Sequence, residues 1–239
     1  MRRVLVTGAS RGIGAAIALE LGRAGFEVTV HYHRDRAGAE RTLAGLGCGE
    51  MLAFDITDTA ACRARLEEAI AVHGAYYGVV CNAGLAVDRA FAMMDEADWS
   101  SVIRTNLDSF YNVIRPLLMP MIGLHEGGRI VTLSSVSGLA GNRGQVSYSA
   151  AKAGVVGASK ALALELARRG ITVNCVAPGL IDTAMADALD ERVRGEILRQ
   201  IPMRRLGSPA EVAATVGFLF SEGASYITRQ VIGVNGGLI

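Results

Sequence analysis

Tyr148 and Lys152 are the two side chains of this sequence whose types and spacing best suit proton transfer. They stand four residues apart in the segment Gln145–Ala161, which is rich in small and helix-compatible residues. Positions i and i+4 lie on one face of a helix, so the phenol oxygen and the ammonium group can address the same point in space. A nearby cation favours the phenolate and lowers a phenol pKa from its usual value of about 10. The pair therefore predicts proton transfer at a substrate carbonyl oxygen, with a further hydroxyl group beside Tyr148.

An exposed helix pair is the ordinary alternative for Tyr-x-x-x-Lys, and composition weighs against it. Of the 24 lysines and arginines, only Lys152 and Lys160 are lysines. A compact ammonium group can approach both a phenol and a ribose, a task for which a planar guanidinium is no substitute. Lys160 lies two turns further along the helix, and nothing in the sequence assigns it a role.

A glycine-rich segment near the start of the chain predicts a phosphate-binding loop. The β-branched run Arg3–Thr7 stops at Gly8, and a helical pattern begins at Ala15 after the segment GASRGIG. In a strand–loop–helix unit of this kind, Gly8 permits the turn, Gly12 lets the backbone approach a pyrophosphate, and Gly14 packs the helix closely on the strand. The spacing is Gly-x-x-x-Gly-x-Gly, which differs from the Gly-x-Gly-x-x-Gly of many dinucleotide-binding proteins.

Strand-like and helix-like patterns alternate along the whole chain, which predicts a seven-stranded parallel sheet with helices on both faces. At 239 residues, this α/β Rossmann-like doubly wound fold fits one domain over 1–239. The strands are expected at Arg3–Thr7, Phe26–Tyr32, Met51–Phe54, Tyr77–Cys81, Arg129–Leu133, Thr172–Val176 and Val231–Val234. After the first helix, the others are expected at Arg36–Leu46, Thr59–His73, Trp99–Ile122, Gln145–Arg168, Ala184–Gln200 and Pro209–Phe220. Pro116 falls inside one of these and should bend it.

Composition argues against several classes of protein. With 51% hydrophobic and 20% charged residues, the chain is expected to form a buried core rather than remain disordered. A net charge of +1 gives no electrostatic reason to expect nucleic acid or an anionic membrane as a partner. No continuous apolar segment is long enough to span a bilayer, and no signal-peptide core precedes the first strand, so a cytoplasmic protein is expected.

The cysteines and histidines do not predict a metal site. The widely separated cysteines are Cys48, Cys62, Cys81 and Cys175. Because they contain no Cys-x-x-Cys pair, reduced thiols are expected rather than a zinc site or a disulfide framework. His31 and His33 share one face of a strand, but no third ligand stands at a suggestive spacing, and a polar strand end is the favoured interpretation.

Residues after the second and third strands predict the adenosine end of a dinucleotide site, because ligands of such a sheet bind at the carboxyl ends of the strands. His33 and Arg34 follow the second strand, and Tyr32 stands where an NAD-selective protein would offer a carboxylate. Arg11, in the glycine loop, is expected to lie near them. Cations without a carboxylate favour binding of a 2′-phosphate, and therefore NADPH as the cofactor. Asp55 could accept a hydrogen bond from the adenine amino group, or it could belong to a helix-capping turn.

Three further strand ends carry candidate residues. The fourth strand is followed by Asn82-Ala83-Gly84, and the fifth by Ser134-Ser135. Pro178-Gly179 follows the sixth strand and opens a methionine-containing segment. This segment, within about 180–207, is expected to act as a lid that closes over a substrate.

A set of separated motifs matches one family. The motifs are TGASRGIG at Thr7–Gly14, Asn82-Ala83-Gly84, Asn106, Ser135, YSAAK at Tyr148–Lys152, Pro178-Gly179 and Thr183. Together they resemble the classical short-chain dehydrogenases/reductases, and the likeness runs from Arg3 to Asn235-Gly236-Gly237. The nearest subgroup resembles the β-ketoacyl-[acyl-carrier-protein] reductases, judged from SRGIG, NAGLAVD, RGITVNCVAPGLIDTAM and IPMRRLGSPAEVA.

The resemblance implies an NADPH-dependent reductase that assembles as a homotetramer and acts on a β-ketoacyl group, with an acyl carrier protein as partner. It implies a catalytic tetrad of Asn106, Ser135, Tyr148 and Lys152. The implied cofactor contacts are Gly8, Ser10, Arg11, Gly12, Ile13, Gly14, His33, Arg34, Asp55, Ile56, Asn82, Ala83, Gly84, Tyr148, Lys152, Pro178, Gly179, Ile181 and Thr183. The alternatives are a dehydrogenase of a sugar, a steroid or another secondary alcohol, and a noncatalytic NADP sensor.

Each member of the tetrad has an expected role. Tyr148 protonates the carbonyl oxygen during hydride transfer, and Ser135 holds that oxygen by a hydrogen bond. Lys152 lowers the Tyr148 pKa and binds the nicotinamide ribose. Asn106 orders a backbone and water path that resupplies the proton, or, alternatively, is a buried side chain that satisfies backbone groups. Ser135 fits the family spacing, whereas Ser134 lies one residue out, and adjacent residues at a strand end point to opposite faces.

Three positions depart from the subgroup and bear on the acyl partner. Arg229 stands where the subgroup has glycine, and Asp108–Tyr111 differs from its usual Lys-Gly-Val-Phe. Glu126 replaces a basic residue expected to dock an acidic carrier protein, whereas Arg169 keeps the second such position. Arg168 and Arg129 are further candidates for docking. A weaker carrier contact, or a dedicated carrier of a polyketide or polyene pathway, is therefore expected. The alternative is that neighbouring arginines compensate and the protein is an ordinary enzyme of fatty-acid synthesis.

Overall fold

A sheet of seven parallel strands forms the centre of the molecule, and the computed structural model describes residues 1–183 and 191–239. The strands pair in the order β3-β2-β1-β4-β5-β6-β7. Their bounds are β1 Arg3–Val6, β2 Glu27–Tyr32, β3 Gly49–Ala53, β4 Gly78–Cys81, β5 Gly128–Leu133, β6 Ile171–Pro178 and β7 Val231–Val234. The predicted fold class, a single Rossmann-like α/β arrangement, is confirmed.

Helices cover both faces of the sheet. Within the described ranges they are α1 Gly12–Arg23, α2 Arg36–Leu46, α3 Thr59–His73, α4 Glu96–Ile103, α5 Ser109–Gly123, α6 Val136–Ala140, α7 Val146–Leu166, α8 Glu191–Gln200 and α9 Pro209–Phe220. The sequence predicted one helix over Trp99–Ile122, but there the chain forms α4, a π-helical segment at Arg104–Asp108, and α5. Pro116 lies inside α5. The start of the helix predicted at Ala184 lies outside the described residues.

Two apolar cores lie on opposite faces of the sheet, and β1 contributes to both. Val4 and Val6 belong to the core beneath α1 and α9, whereas Leu5 belongs to the core beneath α3, α5 and α7. All three side chains are fully buried, as expected for a central parallel strand that is covered on both faces. No helix of the described part of the chain is long and apolar enough to cross a membrane.

The strand order reverses beside β1, because β1 pairs with β2 on one side and with β4 on the other. At such a switch point, the loops after the two strands turn to opposite faces and leave a crevice at the carboxyl edge of the sheet. The loops that follow β1 and β4 border this crevice. The residues that the sequence predicted for a cofactor and active site therefore lie at this carboxyl edge of the sheet.

Candidate active site

Ser135, Tyr148 and Lys152 lie together at the carboxyl edge of β5. The hydroxyl group of Ser135 lies close enough to that of Tyr148 to act on the pKa of the phenol. Lys152 is buried on the next turn of α7, and its Nζ donates to the carbonyl oxygen of Leu133, 2.8 Å away. Its Nζ also lies 5.6 Å from the centroid of the Tyr148 ring. The helical spacing therefore brings the phenol and the ammonium group to one face, beside a second hydroxyl.

Burial governs the protonation of this pair, which differs from the sequence expectation. Burial raises the pKa of Tyr148; the hydrogen bond with Ser135 acts to lower it, and the Asp88 carboxylate raises it further. Burial also lowers the pKa of Lys152 to about 8. The expected lowering of the Tyr148 pKa by Lys152 is therefore not found in the protein alone. The physical reason is that the phenol is desolvated while the ammonium group is directed at the Leu133 carbonyl.

The two serines after β5 have separate contacts. Ser134 is buried, and its hydroxyl donates to the backbone oxygen of Lys152 at 2.9 Å. Ser135 caps α6, where its Oγ accepts the amide hydrogen of Ser137 at 3.2 Å. This short helix was not predicted, and its N-cap position holds the Ser135 hydroxyl beside Tyr148. Ser134 thus ties β5 to α7, and Ser135 faces the phenol.

Asn106 lies in the π-helical segment and is buried. Its Nδ2 donates to the carbonyl oxygens of Leu85 at 2.6 Å and Val102 at 2.9 Å, while its Oδ1 accepts the Leu85 amide hydrogen at 3.3 Å. Asn106 thus satisfies backbone groups, as one of its two interpretations expected. It also lines a small cavity together with Lys152 and Thr7. π-Helical segments are rare and frequently occur at functional sites.

The hydrogen-bonded pair of Asp88 and Gln145, which was not predicted from the sequence, supports the start of α7. Gln145 Nε2 donates to Asp88 Oδ1 at 2.9 Å, and Gln145 Oε1 accepts the hydroxyl of Ser137 at 2.8 Å. The Arg89 amide donates to the Gly144 carbonyl at 2.8 Å in the same region. These contacts join the loop after β4 to the turn that precedes Tyr148. The residue that could have revealed these contacts in the sequence is Gln145, a polar residue three positions before Tyr148.

The glycine loop after β1 fits a dinucleotide pyrophosphate. Gly8 and Gly12 adopt left-handed φ angles of 64° and 57°. A Cβ on Gly14 would lie 2.2 Å from the Gly8 carbonyl oxygen, so only glycine allows α1 to pack this closely. Arg11, at the N-cap of α1, makes no side-chain capping bond, and no acidic residue occupies the first turn. The first amide groups of α1 are therefore left for an anionic ligand.

Asn82 and Ala83 fasten the loop after β4 to the glycine loop. Asn82 Nδ2 donates to the carbonyl oxygens of Thr7 at 2.9 Å and Gly8 at 3.2 Å. Thr7 Oγ1 accepts the amide hydrogens of Asn82 at 2.9 Å and Ala83 at 3.1 Å. A Cβ on Gly84 would lie 2.8 Å from Asn106 Oδ1, so glycine is needed for this approach. The structure brings all three residues to the crevice.

The proposed adenosine end holds both cations and a carboxylate. His33 and Arg34 are exposed after β2, and His33 Nε2 lies 3.8 Å from Asp55 Oδ2. Asp55 Oδ1 accepts the amide and hydroxyl hydrogens of Thr57 at 2.9 and 2.8 Å. Although burial acts to raise it, the Thr57 bonds and the charges of His33 and Arg34 keep the pKa of Asp55 below its ordinary value. The sequence predicted cations without a carboxylate at this end of the site. That prediction was incomplete, because the Asp55 carboxylate, which follows the neighbouring strand β3, lies beside His33.

The remaining cofactor candidates take several positions around the crevice. Arg11 is exposed, Ser10 and Ile13 are partly buried, and Ile56 is buried. The carbonyl of Ser10 would lie 2.5 Å from a Cβ on Gly38, so the first turn of α2 packs against the glycine loop. This contact places the segment that carries His33 and Arg34 beside Ser10.

The segment after β6 returns to the glycine loop. Pro178 ends β6, and the Gly179 amide donates to the Val234 carbonyl at 2.9 Å. Ile181 is buried and forms a parallel bridge with Gly207. A Cβ on Gly12 would lie 3.6 Å from Thr183 Cγ2, so Thr183 faces the loop. The lid expected within about 180–207 includes 184–190, which lie outside the described residues, and it remains a prediction.

His31 is not the polar strand end that the sequence suggested. It is 2% exposed, and both ring nitrogens have partners: the Gly8 amide lies 3.1 Å from Nδ1, and the Phe54 carbonyl oxygen lies 3.0 Å from Nε2. His31 and His33 also cannot bind a metal ion together in this arrangement, because both ring nitrogens of His31 are already hydrogen-bonded. The sequence could not reveal this burial, because polar and buried strand ends share the same residue pattern.

The residues expected to dock a carrier protein do not surround this site. Arg129 is 4% exposed, and its guanidinium donates to the carbonyl oxygens of Gly128 at 3.0 Å and Ser221 at 3.5 Å, so its proposed role is wrong. Glu126 pairs with Arg2 at 3.6 Å. Glu126 precedes β5 and Arg169 precedes β6, so both lie at the amino edge of the sheet, opposite Tyr148.

Comparisons with known proteins agree over nearly the whole chain. The family described as enoyl-(acyl carrier protein) reductase matches residues 8–239. The chain is 56% identical to a 3-oxoacyl-[acyl-carrier-protein] reductase FabG of Aggregatibacter actinomycetemcomitans, with 98% of each chain covered. It is 42% identical to the FabG reductase of Staphylococcus aureus, with 99% of this chain and 98% of that protein covered. It is also 43% identical to nodulation protein G of Azospirillum brasilense, over 98% of this chain and 96% of that protein.

Proposed function

Because the chain belongs to the short-chain dehydrogenase/reductase family, we propose that it reduces the ketone of a β-ketoacyl (3-oxoacyl) thioester on an acyl carrier protein. The product is the β-hydroxyacyl thioester of fatty-acid or polyketide synthesis. The chain is an oxidoreductase of CH–OH and C=O groups. The observation that carries the proposal is the cluster of Ser135, Tyr148 and Lys152 at the carboxyl edge, next to a glycine loop with the free amides of α1.

We infer that NADPH is the cofactor. Gly8–Gly14 would hold its pyrophosphate, and Arg11, His33 and Arg34 would face its 2′-phosphate. Asp55 supports this assignment less directly, because its carboxylate lies 3.8 Å from His33 Nε2 and accepts two hydrogen bonds from Thr57. Bound NADPH would supply the hydride that the ketone carbon accepts.

The chain's own residues supply the proton and the alignment. Tyr148 is the general acid, because burial keeps its hydroxyl protonated until negative charge develops on the ketone oxygen. Ser135 donates a second hydrogen bond to that oxygen. Lys152, whose Nζ is fixed by the Leu133 carbonyl, provides a positive charge next to the phenol as its proton leaves. Asn106 holds the Leu85 backbone and, beside Lys152, lines the cavity through which the proton is resupplied.

Reduction assays on the purified chain test this function. We expect NADPH to be oxidised when a β-ketoacyl group is supplied on a carrier protein, with a smaller kcat/KM for NADH. Tyr148→Phe should retain NADPH binding and lose turnover by a factor of about 10² to 10⁴, the usual contribution of general acid catalysis. Tyr226→Phe is the matched control, because Tyr226 is fully exposed and distant in sequence from the site. Tyr226→Phe should not alter turnover.

Other results would overturn the proposal. NADPH binding without oxidation by any β-ketoacyl thioester or simple ketone would indicate a noncatalytic sensor. Faster reaction of a sugar, a steroid or another secondary alcohol would indicate a different dehydrogenase. A Tyr148→Phe variant that keeps more than about a hundredth of the wild-type rate would refute the acid role.

We propose that the chain acts as a cytoplasmic homotetramer and that its acidic carrier docks through exposed arginines. Since Arg169 and Glu126 lie at the edge opposite Tyr148, docking through them requires a neighbouring protomer whose site opens beside that edge. Arg169→Glu should lower kcat/KM for carrier-bound substrate at low salt and leave the free thioester unaffected. Glu126→Arg should raise the carrier-bound value alone. Equal kcat/KM for carrier-bound and free substrate in the wild type would contradict docking.

A further inference from the structure

His31 has one possible tautomer in this structure. The Gly8 backbone can only donate its N–H, and that hydrogen points at Nδ1, 3.1 Å away. The Phe54 carbonyl can only accept, and its oxygen lies 3.0 Å from Nε2. Nδ1 must therefore be bare and Nε2 must carry the hydrogen, so the ring is neutral.

This ring, on β2, joins the segments that follow the two neighbouring strands, β1 and β3. Gly8 is the left-handed turn residue of the glycine loop, after β1. Phe54 follows β3 and directly precedes Asp55, and its ring centroid lies 4.1 Å from that of His31. The backbone also joins the glycine loop to β2, because the Ala9 amide donates to the His31 carbonyl at 2.9 Å. His31 itself lies in β2, two residues before His33.

We propose that His31 is a positioning residue for the dinucleotide: its neutral ring fixes the Gly8 turn and the strand end before Asp55, and thereby sets the affinity for NADPH. The inference rests on the proposed function and adds a residue that does not touch the ligand in that proposal. Burial supports it, because it lowers the pKa of His31 to about 4. The facing charges oppose each other, since His33 lowers this pKa and Asp55 raises it.

Two conservative variants separate the two bonds of the ring. In His31→Asn, Oδ1 takes the place of Nδ1 and can accept the Gly8 hydrogen, but nothing reaches Phe54. In His31→Gln, the longer amide can donate to Phe54 as Nε2 does, but the Gly8 acceptor is lost. The glycine loop should therefore stay ordered in the Asn variant and loosen in the Gln variant.

A control variant comes from the same strand. Thr29 is 1% exposed and lies two residues before His31, on the same face of β2, but its hydroxyl donates to Glu50 at 2.8 Å, away from the glycine loop. Thr29→Val removes two hydrogen bonds, the one to Glu50 and the one that the Thr29 hydroxyl accepts from Tyr76 at 3.2 Å, without touching Gly8 or Phe54. It should reduce stability and leave NADPH affinity unchanged.

The experiment measures the NADPH dissociation constant by nucleotide fluorescence and amide exchange of Gly8 in the nucleotide-free protein. His31→Gln should weaken NADPH binding about tenfold, the equivalent of one lost hydrogen bond, and speed Gly8 exchange. His31→Asn should stay within about threefold of wild type in both measurements. At saturating NADPH, kcat should be unchanged in each folded variant, because the effect is on binding.

The possible results are distinct. If Gln and Asn variants bind NADPH as tightly as wild type, His31 is only structural and the inference is wrong. If both lose affinity equally, ring packing rather than the Gly8 bond matters, and the inference is also wrong. If the wild type binds neither NADPH nor NADH, the proposed function itself fails, a result that these variants cannot produce.

Discussion

Acid should weaken the fold through His31, because the folded protein holds this ring neutral. The pKa is about 4 in the folded protein and 6.5 ordinarily. Between these two values the unfolded chain binds more protons than the folded one, so the free energy of unfolding falls as the pH falls. The contribution of His31 is fully present above about pH 6.5 and is lost by about pH 4.

The size of this effect follows from the two pKa values. Each pKa unit corresponds to about 1.4 kcal/mol of difference between protonation states. Over the whole window the loss is about 3 kcal/mol, and between about pH 7 and about pH 5 it is about 2 kcal/mol. That is a large fraction of the stability of an ordinary domain.

Urea denaturation of wild type and His31→Asn, at several pH values and one fixed protein concentration, isolates this contribution. The carboxylates that also titrate in acid, such as Asp55 and Glu211, are present in both proteins and cancel in the difference. We expect wild type to lose about 2 kcal/mol more than His31→Asn between about pH 7 and about pH 5. If the difference between the two proteins stays constant with pH, then His31 is not held neutral, and the argument from its burial and tautomer is refuted.

Three substitutions test the backbone and the cofactor assignments. Arg229→Gly should raise the free energy of unfolding by about 1 kcal/mol in urea denaturation, because Arg229 has a φ of 66°; an unchanged or lower value would contradict the strain. Gly14→Ala should weaken NADPH binding more than tenfold, because the added Cβ would collide with the Gly8 carbonyl oxygen. Gly157→Ala is the control: its Cβ would meet no atom within 4 Å, so the free energy of unfolding should stay the same or rise. Arg34→Asp should lower the ratio of kcat/KM for NADPH to that for NADH by at least about tenfold, and an unchanged ratio would contradict the 2′-phosphate assignment.

The sequence predicted the sheet well because β1 and its neighbours are buried runs separated by glycine turns, and such runs leave a clear pattern. The Tyr148–Lys152 spacing predicted a further hydroxyl group beside the phenol, and the family resemblance identified that group as Ser135. The sequence missed α6 because five residues leave no periodicity, and it missed the π-helical segment because the pattern of a π-turn resembles that of an α-helix. His31 was misread because burial depends on what packs over a strand end.

The error at Arg129 has a different cause, because the sequence does not show that an arginine at the start of a strand is buried. The strand predicted at Arg129–Leu133 places Arg129 at its amino end, whereas ligands bind at the carboxyl ends. The structure adds the burial of its guanidinium, which lies 5.8 Å from the Tyr77 ring centroid and donates to backbone carbonyls. An arginine near the family docking positions can therefore be suggested as a docking residue, but its burial decides whether it can contact a carrier protein.

The burial of Tyr148 bears on its proposed role as a proton donor. Burial and the Asp88 carboxylate both favour the neutral phenol, which is the form that donates a proton to a ketone oxygen. Oxidation of an alcohol needs the phenolate instead, and here Lys152 offers little help until charge develops, because its ammonium group is bound to the Leu133 carbonyl. Because Lys152 has a pKa of about 8, it remains mainly cationic near neutral pH and can stabilise the phenolate that forms as the proton leaves.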